Sequence, residues 1–306
     1  MSDAEPGSDA APADTTTDRA DSPLVRRGRA FAARFRRNNL AMGGLVVTTG
    51  FLLLALLAPV LAPYDPAAVD VPARLQGPSL AHPFGTDRYG RDLFSRVLYG
   101  ARIALQVAVA TPLVAGAVGV PIGLVAGYVG GRVDDALMRL MDSIFAFPAI
   151  LLGLTLVAVF GQSLTNIVAA LGIVYIPQFA RVTRGSAVSV VEEEHVRVAR
   201  SLGASHARIL LVHVLPFCLS AILVQATVTA ALAIVLESSL SFLGVGVPSP
   251  RPSWGSILRV GKGYVDSGEW WYSVFPGVAI VIAVLGFNLL GDGLRDVLDP
   301  RTDPNR

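Results

Sequence analysis

The feature that most limits what this chain can fold into is a series of long runs without a single Asp, Glu, Lys or Arg. Leu40–Pro63, Ile103–Gly131, Ser143–Ala180, Val214–Leu236 and Trp270–Gly291 are such runs. A helix rises about 1.5 Å per residue, so about 20 apolar residues cross a hydrocarbon core about 30 Å thick. Ser143–Ala180 is 38 residues long, enough for two crossings, and holds the polar turn Gly161–Asn166 near its middle. The sequence therefore predicts six spans, at about 40–62, 103–127, 138–160, 165–182, 214–236 and 272–292. The expected class is all-α, a polytopic membrane protein with six transmembrane helices. Only 16% of the residues are charged, against about 25% in soluble domains.

The distribution of charge orients the spans. Arg26, Arg27, Arg29, Arg34, Arg36 and Arg37 crowd the approach to the first span, which reads as cytoplasmic by the positive-inside rule. Six spans then put both termini inside, together with the loop at 183–213 and its Arg184, Arg197, Arg200 and Arg208. The loops at 64–97 and 237–271 fall outside, and the first offsets four Arg with four Asp. Residues 1–35 read as a disordered cytoplasmic tail, because residues 1–23 hold almost no large apolar side chain to bury. Arg26-Arg27 is read as the flank of a retained anchor, since the following apolar run is too long for a cleaved signal. The expected organisation is a first anchor segment at 36–66, an extracytoplasmic segment at 67–102, a membrane core at 103–293 and a cytoplasmic tail at 294–306. The core holds five spans, a cytoplasmic loop at 184–213 and an extracytoplasmic loop at 237–271.

Several classes of chemistry lack their residues. Cys218 is the sole cysteine, so no disulfide or cysteine metal cluster forms within the chain. His82, His195, His206 and His213 show no metal-ligating spacing, and no metal site is expected. Asp87, Arg91 and Asp92 read as a salt-bridged turn, with Thr86 or Asp87 capping a short interfacial helix from Leu93 to Tyr99. The nearest match to a phosphate-cradling loop, Ser256–Gly263, lacks the first Gly and the final Ser or Thr. No nucleophile–base pair with a supporting motif is present, so the chain reads as no enzyme. No ionisable residue lies near the middle of a span; Asp142 and Glu237 lie near span ends. Ion-driven carriers generally need such groups, which argues against a self-sufficient carrier or channel, the competing class. Tyr175, Gln225, Thr229 and Asn288 are polar residues at depth that suit either a translocation path or interhelical hydrogen bonds. Thr111, Ala115, Gly119, Gly123, Gly127 and Gly131 repeat at intervals of four, a small-residue stripe that lets helix backbones approach closely. Trp270, Trp271 and Tyr272 read as an interface anchor.

Between two spans lies RVARSLGASHARILLVHVLP, Arg197 to Pro216. Residues from Glu192 to Leu202 are helix-compatible, with Val196, Ala199 and Leu202 on one face. Gly203 ends that helix in the left-handed conformation. Ser205 is a suitable N-cap for the next helix, and Leu215-Pro216 opens or kinks the following span. The result is a short bent element at the cytoplasmic face. Periodicity alone also allows an amphipathic linker lying on lipid headgroups.

The spacing of this element resembles the EAA loop of ABC importer permeases: Glu-Ala-Ala, three residues, Gly, nine residues, then an apolar residue, any residue and Leu-Pro. Gly203 and His213-Val-Leu-Pro216 match it. HPFGTDRYGRDLFSRVLYGARIAL, GLVAGYVGGRVDDALMRLMDSIFAFPAILL, SLSFLGVGVPSPRPSWGSIL and FPGVAIVIAVLGFNLLGDGLRDVLDPR resemble the dipeptide/oligopeptide permease branch, C-type subunit. The resemblance runs from about residue 36 to Arg301. It implies the ABC importer permease fold with a cytoplasmic coupling-helix loop, in the cell inner membrane. It implies four kinds of partner: membrane lipid, a homologous second permease subunit, two cytoplasmic ATPase subunits and an extracytoplasmic peptide-binding protein, with no nucleic acid. ATP and Mg would be bound by the ATPase subunits, and this chain would carry no cofactor. The ATPase-coupling residues it implies are Glu194, Arg197, Val198, Ala199, Leu202, Gly203 and Ala204. One departure stands out: the family's Glu-Ala-Ala falls on Arg197-Val198-Ala199, so an acid is replaced by a base. The implied cargo is a di- or oligopeptide; nickel chelates, glutathione or another small solute are the alternatives within the branch.

Overall fold

The computed structural model describes residues 33–298. The tail expectation for 1–35 lies almost wholly outside the described residues, as does the part of the 294–306 tail beyond Leu298. Nine helices of eight residues or more order the chain between Asn39 and Leu298: α1 (Asn39–Leu61), α2 (Leu93–Val129), α3 (Gly131–Phe145), α4 (Ala149–Phe160), α5 (Leu164–Val191), α6 (Glu194–Ser201), α7 (His206–Leu243), α8 (Trp254–Gly261) and α9 (Trp271–Leu298). No strand occurs among the described residues beyond one isolated bridge, Thr86 to Asp92.

Five helices, α1, α2, α5, α7 and α9, are each long and apolar enough to cross a membrane. The sixth predicted span, at 138–160, is instead a bent pair: α3 and α4 meet at 84°. The break falls at Ala146-Phe147-Pro148, where Pro148 disfavours a helical conformation at the residue before it. Counted as one span, the pair brings the total to six. The helices also run past the predicted edges. α2 extends from 93 to 129 and α9 reaches Leu298, because apolarity marks what lipid covers and not where helical hydrogen bonding stops.

The segment before α2 differs from expectation in its cap. Asp92, not Thr86 or Asp87, caps the helix, its Oδ2 accepting from the Ser95 N–H at 2.7 Å. Leu93 to Tyr99 is the start of α2 itself and not a separate interfacial helix. Asp87 builds the preceding turn, accepting from the N–H groups of Tyr89 and Arg91 and pairing with Arg91 Nε at 2.6 Å. The aromatic trio is also redistributed. Trp270 remains exposed, but Trp271 is half-buried and Tyr272 is buried in the core around Phe51, Trp254 and Phe287. These residues are brought in by tertiary packing that the run of aromatics did not reveal.

The most extensive helix pair is α2 with α5. The small-residue stripe makes that contact. Gly119 faces the backbone of Ile176 and the Phe179 side chain, Gly123 the carbonyl of Ala180 and the side chain of Thr183, and Gly127 the Ala187 side chain. In lipid such packing replaces the water-driven burial that joins helices in soluble domains. Around the pair, α1 and α9 lie together, and α7 packs on α2, α5 and α9. Val46, Leu53, Leu56 and Val60 of α1 point away from the protein, each at least half exposed, a surface that hydrocarbon solvates and water would not. Glu237 of α7 is buried; Ser241 Oγ donates to its Oε1 at 2.6 Å.

The close contact makes a prediction. Gly123→Leu places a side chain where the Ala180 carbonyl and Thr183 Cβ already lie, and overpacking typically costs about 1–3 kcal/mol. Its thermal unfolding midpoint in detergent should fall, measured by fluorescence-detected size exclusion. Gly50→Ala, a site with nothing within 4 Å, should leave the midpoint unchanged.

Candidate functional site

The element predicted between two spans exists as a helix, a glycine turn and a second helix. Its parts follow from local chemistry. α6 ends at Ser201. Gly203 takes φ +79°, its N–H donates to Arg200 O at 3.0 Å, and the Ala204 N–H donates to Ala199 O at 3.1 Å. That pair of bonds closes a helix with a left-handed glycine and satisfies carbonyls the helix end leaves open. Ser205 then caps the next helix, its Oγ accepting from the Arg208 N–H. The segment Ile209–Val214 is π-helical and passes into a regular α-helix at Leu215. Pro216 explains the change: it has no N–H for the carbonyl one turn before it, and a local widening absorbs the missing bond.

The element has two faces. Val196, Ala199, Ile209 and Val214 are buried. Val196, Ile209 and Val214 form a cluster with Leu124 of α2, Val190 of α5 and Cys218 of α7, and Ala204 packs against it. The opposite face presents Glu194, Arg197, Val198, Leu202 and Gly203. Leu202, 83% exposed, is the apolar tip. The predicted coupling residues thus divide into five outward-facing positions and two, Ala199 and Ala204, that seat the element.

Three polar contacts that the sequence did not suggest tie this element and its surroundings to the long helices. Tyr128 Oη, at the end of α2, lies 2.6 Å from His206 Nδ1, and the Arg200 guanidinium stacks 5.3 Å from the Tyr128 ring centre. Arg184 of α5 grips Asp134 of α3 with two bonds of 2.5 Å. Arg181 pairs with Asp142 at 2.6 Å. Separations of 78, 50 and 39 residues leave no periodic signal in a single sequence. Inside the element itself, His195 sits 3.1 Å from Glu193 Oε2 and 3.2 Å from the His213 carbonyl.

Of the four residues proposed for a path, Gln225 and Thr229 are in contact, at 3.0 Å. Tyr175 is 5% exposed in the core beside Phe179, and Thr229 is fully buried. Asn288 is exposed on α9. Gln225 donates to Gln178 Oε1 at 3.1 Å and to Thr229 Oγ1 at 3.0 Å, the interhelical bonding that a polar residue at depth also serves. Gln225 borders a cavity of about 380 Å³ with Ser220, Val224 and Arg295, which Tyr175, Thr229 and Asn288 do not line.

The Arg184–Asp134 pair makes a prediction. Asp134→Asn should leave α5 intact and free α3, raising amide hydrogen exchange across Gly131–Phe145. A double-mutant cycle with Arg184→Gln should give a coupling of about 1 kcal/mol, because the two-pronged geometry is favourable but the arginine is partly solvated.

Residues 119–304 match the family model of the binding-protein-dependent transport system inner membrane component. Residues 27–78 match the N-terminal TM domain of oligopeptide transport permease C. The dipeptide transport system permease protein DppC of Alkalihalophilus pseudofirmus is 43% identical over 88% of each chain. The probable D,D-dipeptide transport system permease protein DdpC of Escherichia coli K12 is 40% identical, covering 86% of this chain and 88% of that one. The glutathione transport system permease protein GsiD of Escherichia coli O6:K15:H31 is 43% identical over 89% of each. Among solved structures, the inward-facing MetNI methionine ABC transporter matches with a TM-score of 0.55 at 17% identity, covering 67% of this chain and 96% of that chain. That likeness is one of fold.

Proposed function

The chain belongs to the binding-protein-dependent transport system inner membrane components, in the dipeptide/oligopeptide permease group of ABC importers, and from that premise we propose how it works. It is a multi-pass inner membrane protein. It serves as one permease subunit of an importer for di- or oligopeptides, with a second homologous permease, two cytoplasmic ATPase subunits and an extracytoplasmic binding protein. ATP and Mg are bound by the ATPase subunits, and the present chain transmits their motion. Both termini and the Gly203 element face the cytoplasm, as the arginines before α1 favour.

The observation that carries this reading is the split of the element into a buried seat and an exposed face. An element whose inner side joins the ends of α2, α5 and α7, and whose outer side is free, suits the transfer of force from an outside partner to three helices. The outer contact set is Glu194, Arg197, Val198, Leu202 and Gly203. Arg197 stands where the family pattern has Glu, so the ATPase surface that receives it carries an acidic or neutral group in place of a basic one. The glutathione permease relative supports a second substrate reading within the same machine. Uptake of labelled dipeptide against labelled glutathione in a deletion strain separates the two.

Gly203→Asp forces a side chain into a left-handed turn on the docking face. The protein should remain in the membrane, seen by fractionation, while peptide uptake falls to background; normal uptake would overturn the coupling role. Arg197→Glu should weaken ATPase association roughly tenfold, as charge reversal across a complementary contact does, measured by crosslinking yield. Stronger association would mean that the ATPase keeps a basic groove.

A further inference from the structure

At the end of the molecule opposite Gly203 lies a cavity of about 860 Å³, within the range of small-ligand sites, about 300–1,000 Å³. Arg88, Arg91, Arg96, Arg251, Arg259 and Lys262 line it, and no carboxylate does. These cations come from four separate places: the turn before α2, the first turn of α2, the loop before α8, and α8 with the residues after it. Like charges converging on one cavity repel, and an arrangement of this kind attracts an anion.

The nearest acid, Asp87, pairs with Arg91 and Arg96, while Arg88, Arg251, Arg259 and Lys262 have no ion pair among the described residues. Asp87 is committed to Arg91 and to the N–H groups of Tyr89 and Arg91, and lies 3.6 Å from Arg96 Nε. Arg96 is 6% exposed; its Nη1 donates to the Pro66 carbonyl at 2.9 Å, while its Nε has no hydrogen-bond partner. The buried Nε of Arg88 likewise has none. Arg259 is held in place by close approach to Gly244, whose φ of +95° and lack of a side chain admit the guanidinium.

We propose that this cavity is a carboxylate site, and that it receives the free C-terminal carboxylate of the transported peptide. The proposal rests on the peptide-importer reading above. Planar guanidinium groups match a carboxylate fork to fork. The depth of Arg96 favours the end of a small extended molecule over the flat acidic surface of a docking protein. An anionic lipid headgroup would bring two acyl chains that need hydrocarbon around them, whereas the turn at 88–91 and the loop at 244–251 form much of these walls.

The test uses washed membrane vesicles of the native host, which hold the chain with its own partners. Equilibrium binding of radiolabelled trialanine and of trialanine amide is measured without ATP, and uptake of trialanine with ATP. Arg251 and Arg259 are exposed, so Arg251→Gln/Arg259→Gln should fold normally. Trialanine should bind this variant about tenfold or more weakly, the scale of charge-assisted bonds, and the amide should bind variant and wild type alike. Arg96→Lys, which keeps the charge and loses the fork, should also weaken trialanine alone. If wild-type vesicles import trialanine but the variants bind it as tightly as wild type, the site is overturned and the importer reading stands. If wild-type vesicles neither bind nor import trialanine, both fall. If the variants lose photo-crosslinking to phosphatidylglycerol, or binding-protein affinity, with trialanine binding unchanged, the cavity belongs to lipid or to the docked protein and the proposal is overturned.

Discussion

Backbone-to-backbone packing of α2 on α5 is the contact around which the other helices are arranged. Hydrocarbon offers no hydrophobic drive to bring helices together, so shape and close approach must supply the attraction. The glycine stripe supplies both, placing α2 directly on the carbonyls and small side chains of α5. α7 packs on both helices of this pair, α1 packs on α2, and α9 packs on α1 and α7. Positions where even a methyl group would collide leave little freedom for independent sliding, so α2 and α5 are expected to move as one body.

That body is long. α2 spans 37 residues, about 55 Å at 1.5 Å per residue, more than a hydrocarbon core about 30 Å thick. Both of its ends therefore lie outside the lipid, and both are held by polar contacts. At one end Asp92 caps the helix and Arg96 bonds the Pro66 carbonyl. At the other, Tyr128 meets His206 and Arg200, while Arg184 reaches across from α5 to Asp134. The Gly203 element sits on the second end through apolar side chains, where small residues such as Ala199 and Ala204 permit a tight seat.

Much of this was legible in the sequence because membrane and turn chemistry write themselves locally. Charge-free runs marked the spans, intervals of four marked the α2 stripe, and Gly203 with Ser205 marked the bend. What failed to show was long-range. The cap of α2 moved to Asp92 because Asp87 was needed by the turn and Arg91. Tyr272 went into the core because α1 and α8 supply Phe51 and Trp254 around it. The bend between α3 and α4 needed Pro148 read as a break inside an otherwise continuous apolar run. Gln225 had two readings open at the sequence level, and its bond to Gln178 became visible only when α5 and α7 were brought together.

A ligand shifts a conformational equilibrium only by the difference in its affinity for the two states. The geometry gives that requirement a physical place at each end of one rigid pair. The cationic cavity draws its walls from the start of α2, from the end of α7 and from α8, so any movement of α2 relative to α7 changes the distances among its guanidinium groups. The Gly203 element is seated on the far ends of α2 and α5 and on the start of α7, so the same relative movement changes its seat. On the two proposals above, a carboxylate that holds the cations together at one end would bias the position of the Gly203 element at the other. Under the proposed coupling, an ATPase bound at the Gly203 element would by reciprocity change the affinity of the cavity. Coupling between the two ends then needs no chain of intermediaries beyond helices already packed too closely to shear.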